Sequence, residues 1–422
     1  MEAVAHSELS ASPSSAGPAT PARGMRKIYF VLEAINATAT AYYFNYLFFY
    51  MRDHFGFGNR NNLMLTATHG CIYTITAWNA GRFALRHGYH FSLRLGFCGM
   101  VIALSTGAMV PRMFGYSRAG LVGEVCCLVL WTVSMCLTWP TLQALLSLGQ
   151  APTEMPHAAG MYNVVWATGA AFANLTGGAL YQHFGGETLF WLPAAMHVAQ
   201  LALMLRLSGA APGLAPANTS ASAASPVETI PPLNPRPIAK ARTFLYLAWL
   251  ANPFAYMAIN GVLPVMPKLA ANLGLDAAQA GLAGSVWFWA RLGAFVWFYL
   301  WSGWHYRFRW LLAAFIALAC SFTLTLLSPN VWILVAAELV FGLAVGLIYY
   351  SSLFYSMDVG ESTSKRGGFH EAAIGLGVCT GPAIGVIALY ILPEVPNAGI
   401  WAISTALLLG LVPFTIIKKR GA

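Results

Sequence analysis

Charged residues are scarce in this sequence: they make up 9% of its 422 residues, against 58% that are hydrophobic. A soluble domain carries about 25% charged residues, so the composition excludes an ordinary soluble fold and indicates a membrane protein. The sequence also has no glycine loop ending in Lys-Ser or Lys-Thr, which excludes ATP hydrolysis by this chain. The seven cysteines include no CxxC pair of the kind that binds zinc. No metal or cofactor is therefore expected.

Long polar segments are few as well. Residues 1–24 are rich in Ala, Ser and Pro, lack the apolar core of a signal sequence, and are expected to form a disordered cytoplasmic tail. Residues 208–240 have a similar composition and are expected to form a flexible cytoplasmic linker. Apolar runs on either side of this linker predict twelve membrane-spanning helices. They lie near residues 27–50, 63–82, 93–113, 119–146, 160–183, 188–207, 242–266, 281–301, 310–328, 331–356, 369–391 and 398–417. The predicted fold is thus all-α, with two pseudo-symmetric six-helix bundles at 25–207 and 241–422.

The basic residues predict the orientation of these helices. If the N-terminus is cytoplasmic, 17 of the 23 Lys and Arg residues fall in cytoplasmic segments and five in outer loops, with Arg291 inside a predicted span. Because Lys and Arg are enriched on the cytoplasmic side, both termini are expected there, in the cell (inner, cytoplasmic) membrane. The net charge of +9 is attributed to these loops and to anionic lipid, so no nucleic acid partner is expected.

A glycine pattern occurs twice, at residues 160–178 and 368–386, with the same spacing. In each copy, small residues recur every four positions and form a strip on one helical face: Gly169, Ala173 and Gly177 in the first copy, and Gly377, Gly381 and Gly385 in the second. Such a strip lets another helix backbone approach closely inside a membrane. Two copies half a chain apart indicate a duplicated membrane protein.

Two short motifs resemble those of the major facilitator superfamily. The loop after the second run resembles its Gly-x-x-x-Asp-Arg-x-Gly signature through Gly81, Arg86 and Gly88, although Leu85 stands where the acidic residue is expected. The glycine pattern resembles its Gly-Pro-x-x-Gly-Gly signature, with Ala173-Asn174 in the first copy and Gly381-Pro382 in the second. The candidates for gating or packing are Gly81, Arg86, Gly88, Gly169, Gly177, Gly377, Gly381, Pro382 and Gly385.

Ionisable residues inside the spans are the main functional candidates, because charge inside a membrane is costly. Arg291 could bind a carboxylate or phosphate of a substrate, pair with an acidic group that exchanges protons, or form a permanent ion pair. Glu33 begins a polar stripe with Asn36, Thr40 and Tyr43. Desolvation favours the neutral form of a carboxyl, so Glu33 is a candidate proton carrier. The alternative is a structural hydrogen bond to a neighbouring helix.

Three more glutamates lie within the predicted spans. Glu124 and Glu338 occupy corresponding positions of the two copies and could act as proton-coupled gates or as structural ties to adjacent helices, the latter being favoured. Glu371 is expected close to the cytoplasmic surface, at the start of the eleventh span. The His370-Glu371 pair is no zinc site, because position 374 is Ile374 and not the second histidine.

Aromatic and amide side chains could line a site for an organic solute, with rings covering apolar faces and amides binding hydroxyls or carbonyls. Tight packing would use the same residues. The substrate-binding candidates are Arg291, Asn36, Tyr43, Trp166, Asn252, Tyr256, Asn260, Tyr349 and Ser352.

The resemblance implies a monomeric secondary transporter that moves a small organic solute, anionic if Arg291 binds it, by alternating access. Buried carboxyls favour coupling to protons, and the direction of transport stays open. The alternative is a receptor or assembly factor that keeps the scaffold and transports nothing. An enzyme is not expected, since no nucleophile–base pair or metal cluster is recognisable.

Overall fold

The computed structural model describes residues 23–148, 155–210, 238–358 and 363–420. Within these ranges every regular element is a helix. The helices are α1 (Arg23–Phe55), α2 (Asn59–His87), α3 (Tyr89–Phe114), α4 (Arg118–Cys136), α5 (Trp139–Ser147), α6 (Met155–Phe184), α7 (Thr188–Ala210), α8 (Ile238–Val262), α9 (Met266–Asn272), α10 (Ala277–Gly284), α11 (Val286–Leu300), α12 (Phe308–Leu326), α13 (Val331–Asp358), α14 (Thr363–Ile391), α15 (Ala398–Leu409) and α16 (Leu411–Arg420). The expected tail and most of the expected linker lie outside the described residues.

All twelve predicted apolar runs lie on these helices, and four of the runs are broken. The break between α4 and α5 precedes Pro140, whose missing N–H suits the start of a helix. The turn after α8 contains Pro264, and the break between α10 and α11 lies at Ser285. The last run is divided at Gly410. Apolar periodicity alone does not reveal such breaks, since it continues through them.

In the part of the chain that the structure describes, eight helical stretches are long and apolar enough to cross a membrane. They are Tyr89–Phe114, Arg118–Ser147, Thr188–Leu207, Lys240–Asn272, Phe308–Leu326, Val331–Ser356, Ala373–Ile391 and Ala398–Lys419. The protein is therefore a multi-pass membrane protein. The other four predicted crossings lie on α1, α2, α6 and the pair α10–α11, and twelve crossings stay a prediction.

Corresponding helices of the two sequence copies make corresponding contacts. Helix α1 packs against α6 as α8 packs against α14, and α3 packs against α4 as α12 packs against α13. Likewise α2 contacts α4, as α11 contacts α13. We call residues 23–210 the first half and residues 238–420 the second half. Their most extensive mutual contacts join α2 to α14, and α6 to α10 and α11.

Candidate functional site

The glycine strips lie where helices of the same half approach most closely. A Cβ atom at Gly169 would lie 2.9 Å from the carbonyl oxygen of Ala34 on α1, and one at Gly177 would meet the rings of Tyr42 and Tyr46 on the same helix. In the second half, a Cβ at Gly381 would lie 2.5 Å from the carbonyl oxygen of Met257 on α8. Gly377 faces the same helix, while a Cβ at Gly385 would lie 3.2 Å from Leu63 of the first half. The close helix approach predicted from the glycine spacing is therefore present in both copies.

The two halves are joined by hydrogen bonds at the end where α1 finishes. Arg52 Nη1 donates to the carbonyl oxygen of Pro267 at 2.6 Å, and Asn62 Nδ2 donates to that of Pro264 at 3.1 Å. The backbone N–H of Ala278 donates to Gln182 Oε1 at 2.9 Å. These bonds tie the two halves together at this end.

At the opposite end, where α6 begins, His157 Nδ1 and the Tyr299 hydroxyl lie 2.6 Å apart. A Cβ at Gly160 would lie 3.2 Å from the same tyrosine ring. The helices α6 and α11 thus touch here, which joins the two halves at this end as well.

Arg291 lies between these ends in a cage of aromatic rings. Its guanidinium carbon is 4.6 Å from the ring centre of Trp166, 4.8 Å from that of Trp287 and 5.3 Å from that of Phe288. The side chain is 5% exposed, and its Nε has no hydrogen-bond partner. Within the described part of the chain, no carboxylate forms an ion pair with it. A desolvated guanidinium stabilised by π-faces alone retains its capacity to bind an anion.

Four rings surround this cage and join both halves. Trp166 comes from the first half, and Tyr256, Phe295 and Tyr349 come from the second. The centres of Trp166 and Tyr349, of Trp166 and Phe295, and of Phe295 and Tyr349 are each 5.7 Å apart. The rings of Tyr256 and Tyr349 are 6.3 Å apart. Of the predicted binding residues, Arg291, Trp166, Tyr256 and Tyr349 are therefore brought together.

Glu33 is fully buried in the first half, on α1. Tyr162 on α6 lies within electrostatic reach of its carboxyl, but neither carboxyl oxygen has a partner in regular hydrogen-bond geometry. Tyr162 is also within electrostatic reach of Tyr349, a member of the aromatic group around Arg291. A buried acidic group with so few partners is costly unless it exchanges a proton or contacts a ligand.

The predicted amide and hydroxyl ligands are distributed around this centre. Asn36 Nδ2 donates to Thr138 Oγ1 at 3.2 Å, at the break between α4 and α5, and its Oδ1 has no partner. Asn252 is fully buried with neither side-chain polar atom hydrogen-bonded. Asn260 donates to the Tyr256 carbonyl oxygen on its own helix at 2.9 Å, which is a local bond. Ser352 is buried on α13.

Tyr43 is not brought to the aromatic group around Arg291. Its ring packs 4.7 Å from Trp131 and 6.0 Å from Phe190, both of which belong to the first half. The polar stripe of α1 therefore divides: Glu33 and Asn36 face buried polar neighbours, whereas Tyr43 contributes to packing inside its own half.

Glu124 and Glu338 also lie inside their own halves. Tyr50 donates to Glu124 Oε1 at 3.3 Å, which ties α4 to α1. Glu338 faces Gly284 and the backbone of Trp287, where α11 begins. A helix N-terminus favours a nearby negative charge. Neither carboxyl lies between the halves. The hydrogen bond from Tyr50 favours a structural role for Glu124, whereas both oxygens of Glu338 are buried without a regular hydrogen-bond partner, as those of Glu33 are.

The residues of the loop signature differ in their surroundings. A Cβ at Gly81 would meet no atom within 4 Å, so the close packing expected of this glycine is absent. Gly88 ends α2 with φ 93°, a conformation that favours glycine. Arg86 is exposed and Pro382 is buried within α14.

One carboxyl faces the other half. Glu371, predicted at the start of the eleventh span, is 8% exposed on α14. Tyr73, which lies midway along the 29-residue helix α2, donates to Glu371 Oε2 at 2.7 Å. Gly375, one helical turn after Glu371, also faces α2, at Thr74. The sequence singled out Glu371 but did not indicate this partner.

Comparison with known proteins gives the family and the fold. Residues 151–382 match the model of the Major Facilitator Superfamily. A mutant of the peptide transporter POT has a similar structure, with TM-score 0.68 and 15% identity over 94% of this chain and 95% of that one. The human organic anion transporter MFSD10 (TETRAN) gives TM-score 0.60 and 14% identity over 94% of this chain and 99% of that one. No curated protein matches the sequence significantly. At such identities the two structures indicate a common fold.

Proposed function

The chain belongs to the Major Facilitator Superfamily and is a membrane transporter rather than an enzyme, and we propose that it is a secondary active transporter of a small organic anion. In this proposal, two six-helix bundles rock about a central site, which opens alternately to the two sides of the membrane. The site comprises Arg291, Trp166, Tyr256, Phe295 and Tyr349, and we call it the Arg291 site.

The observation that carries the proposal is the caged guanidinium of Arg291. A structural arginine inside a membrane is expected to pair with an acidic group, whereas this one lies over three rings and forms no ion pair in the described structure. Its neighbours come from both halves, so an anion bound there would contact both and sense their relative movement. The rings offer apolar faces to an organic body, and the guanidinium offers a bidentate partner to a carboxylate.

Proton coupling is the second part of the proposal, with Glu33 as the carrier. Alternating access would expose Glu33 to water in one state and bury it in another, so its affinity for protons would change with the state. Tyr162 is within electrostatic reach of both Glu33 and Tyr349 of the Arg291 site, so protonation of Glu33 and binding of an anion would influence each other electrostatically. The role of Asn36 and Asn252 would be to bind polar groups of the solute through their free atoms.

The experiment is transport by the purified protein in proteoliposomes. A thermal-shift screen of organic anions, zwitterions and neutral solutes selects candidates, because a ligand at 100 times its Kd stabilises the folded state by about 2.7 kcal/mol. Uptake of the selected solutes is then compared for wild type, Arg291→Gln and Arg112→Gln. Arg112 is an exposed arginine paired with Glu187 at 2.8 Å, so it controls for loss of positive charge.

We expect uptake of an organic anion by wild type and Arg112→Gln, and at least about a tenfold loss of affinity in Arg291→Gln, because a charge-assisted hydrogen bond is removed. Absence of flux for the whole panel would refute transport and favour a receptor or assembly factor. If only neutral solutes are transported, and equally well by Arg291→Gln, the proposal that the substrate is an anion is refuted.

A further inference from the structure

Helices α2 and α14 meet along a continuous line that we call the α2–α14 seam. Its members are the pairs Tyr73–Glu371, Thr74–Gly375 and Cys71–Cys379. The two helices belong to different halves, so the seam must change if the halves move relative to each other. Within the seam, the Glu371 carboxyl accepts one side-chain hydrogen bond, from the Tyr73 hydroxyl, at 2.7 Å.

Among the side chains that the structure describes, the titratable groups within electrostatic reach of the Glu371 carboxyl carry no charge near neutral pH. They are Tyr73 of α2, Cys136 of α4, Tyr162 of α6, Tyr256 of α8 and Tyr349 of α13. Helix α15 also packs against α14 and has no titratable residue between 398 and 409. None of these neighbours supplies a positive charge that would hold Glu371 ionised.

We propose that Glu371 is a proton-binding site whose occupancy holds the α2–α14 seam closed. The inference rests on the proposed alternating-access function, and it adds a second protonation site beside Glu33. Burying an ionised carboxylate costs more than one charge-assisted hydrogen bond returns. The closed seam therefore favours the neutral acid, whose carbonyl oxygen still accepts the hydrogen bond from Tyr73.

Opening the seam reverses this preference. When α2 and α14 separate, water reaches Glu371 and stabilises its carboxylate, so the proton is released. A proton bound at Glu371 and the closed seam thus stabilise each other, as linkage requires of any ligand that binds one state more tightly.

The native cysteines of the seam allow a direct test. The Sγ atoms of Cys71 and Cys379 lie 2.7 Å apart, so oxidation by copper phenanthroline and oxygen links them when the seam is closed. The two thiols lose two electrons and two protons to the oxidant and form one disulfide. The full chain, with a protease site inserted in the 208–240 linker, is reconstituted without substrate, oxidised briefly and cleaved. Halves that stay together on a non-reducing gel measure the closed fraction.

The rate at which Cys71 and Cys379 become linked is measured from about pH 8 to about pH 5.5, a range that covers the titration of a buried carboxyl. At each pH, the wild-type rate is divided by the rate of the Glu371→Gln protein. Both proteins carry the same thiols, so the pH dependence of thiol oxidation cancels. We expect wild type to link about three to ten times more slowly than Glu371→Gln at the alkaline end, and the ratio to approach one on acidification. Glu124→Gln, which removes a buried carboxyl inside the first half, should follow wild type, and Cys379→Ser should not link.

A ratio that stays constant with pH overturns the proposal, as does a Glu124→Gln protein that behaves like Glu371→Gln. If Glu371→Gln does not fold, Tyr73→Phe replaces it as the variant: it keeps the carboxyl and must retain the pH dependence, with a smaller closed fraction. Uptake in the same vesicles separates this inference from the proposed function. If uptake is normal and the ratio of linking rates does not change with pH, the Glu371 site is refuted and transport is not. If the ratio changes with pH but no solute is taken up, transport is refuted and the Glu371 site is not.

Discussion

The substitution Gly381→Ala tests the packing of the glycine strips most directly. The new Cβ atom would lie 2.5 Å from the Met257 carbonyl oxygen and 2.9 Å from the Met257 Cα. These are backbone atoms inside α8, so they cannot turn aside as the end of a flexible side chain can. The two helices must therefore separate or lose their register. The structure therefore predicts that even alanine, which adds a single carbon, is harmful at this position.

Two effects of opposite sign decide how far Gly381→Ala changes the free energy of unfolding. Replacing glycine by alanine inside a helix favours folding by about 0.8–1.0 kcal/mol. Adding one carbon to a close-packed contact costs about 1–3 kcal/mol, and the short distance at Gly381 places it toward the upper end. We therefore expect a net destabilisation of about 1–2 kcal/mol.

Gly81→Ala is the matched control. It lies in α2, and its added Cβ would meet no atom within 4 Å, so only the helix propensity acts and a gain of about 0.5–1 kcal/mol is expected. Thermal unfolding of the detergent-purified proteins, followed by tryptophan fluorescence, should place Gly381→Ala a few degrees below wild type and Gly81→Ala at or above it. Equal melting temperatures for the two variants would refute the reasoning.

Three further predictions concern transport and topology. Glu33→Gln keeps the shape of the side chain but cannot titrate, so it should abolish accumulation driven by a pH gradient while sparing exchange between equal pools; full accumulation would exclude Glu33 as the carrier. Arg291→Lys keeps the charge but loses the planar fork, so it should weaken binding of an anionic solute by about tenfold or more with little change in melting temperature, and normal affinity in Arg291→Ala would assign Arg291 to a structural role. A cysteine placed in the 208–240 linker should resist impermeant thiol reagents in intact cells, and labelling from outside would overturn the predicted orientation.

The glycine strips show what sequence patterns predict well. The spacing of Gly169, Gly177, Gly377 and Gly381 is local information, since residues four apart share a helical face. Their repetition in both halves indicated that both faces serve the same purpose, and each indeed meets a helix of its own half. The pattern could not indicate which helix that is, or that Gly81 lacks any close neighbour.

Residues that act across the two halves could not be found in this way. Tyr73 and Glu371 are separated by 298 positions, and nothing in either helix alone marks them as partners. Arg291 could be singled out because a lone arginine within an apolar run is conspicuous, whereas its cage of rings from two halves required the structure.

The hydropathy of the helices is itself informative about how the halves are joined. Helices α1, α2 and α6 do not meet the length and hydropathy criteria of a membrane span, although each has about 30 residues. All three contact the second half: α1 meets α9, α2 meets α14, and α6 meets α10 and α11. A face that packs against protein needs less hydrophobicity than one that packs against lipid, and it can hold polar groups such as Glu33 and Asn62.

Close backbone contacts occur both within and between the halves. Within each half, the glycine strips bring α6 against α1 and α14 against α8. Between the halves, a Cβ at Gly70 would meet the backbone of Cys379, and one at Gly178 would meet the backbone of Ala277. Arg52 and Asn62 add hydrogen bonds to carbonyl oxygens of the second half, which water can replace at little cost. The proposed alternating access would therefore have to separate close-packed helices, α2 from α14 or α6 from α10, as well as break these hydrogen bonds.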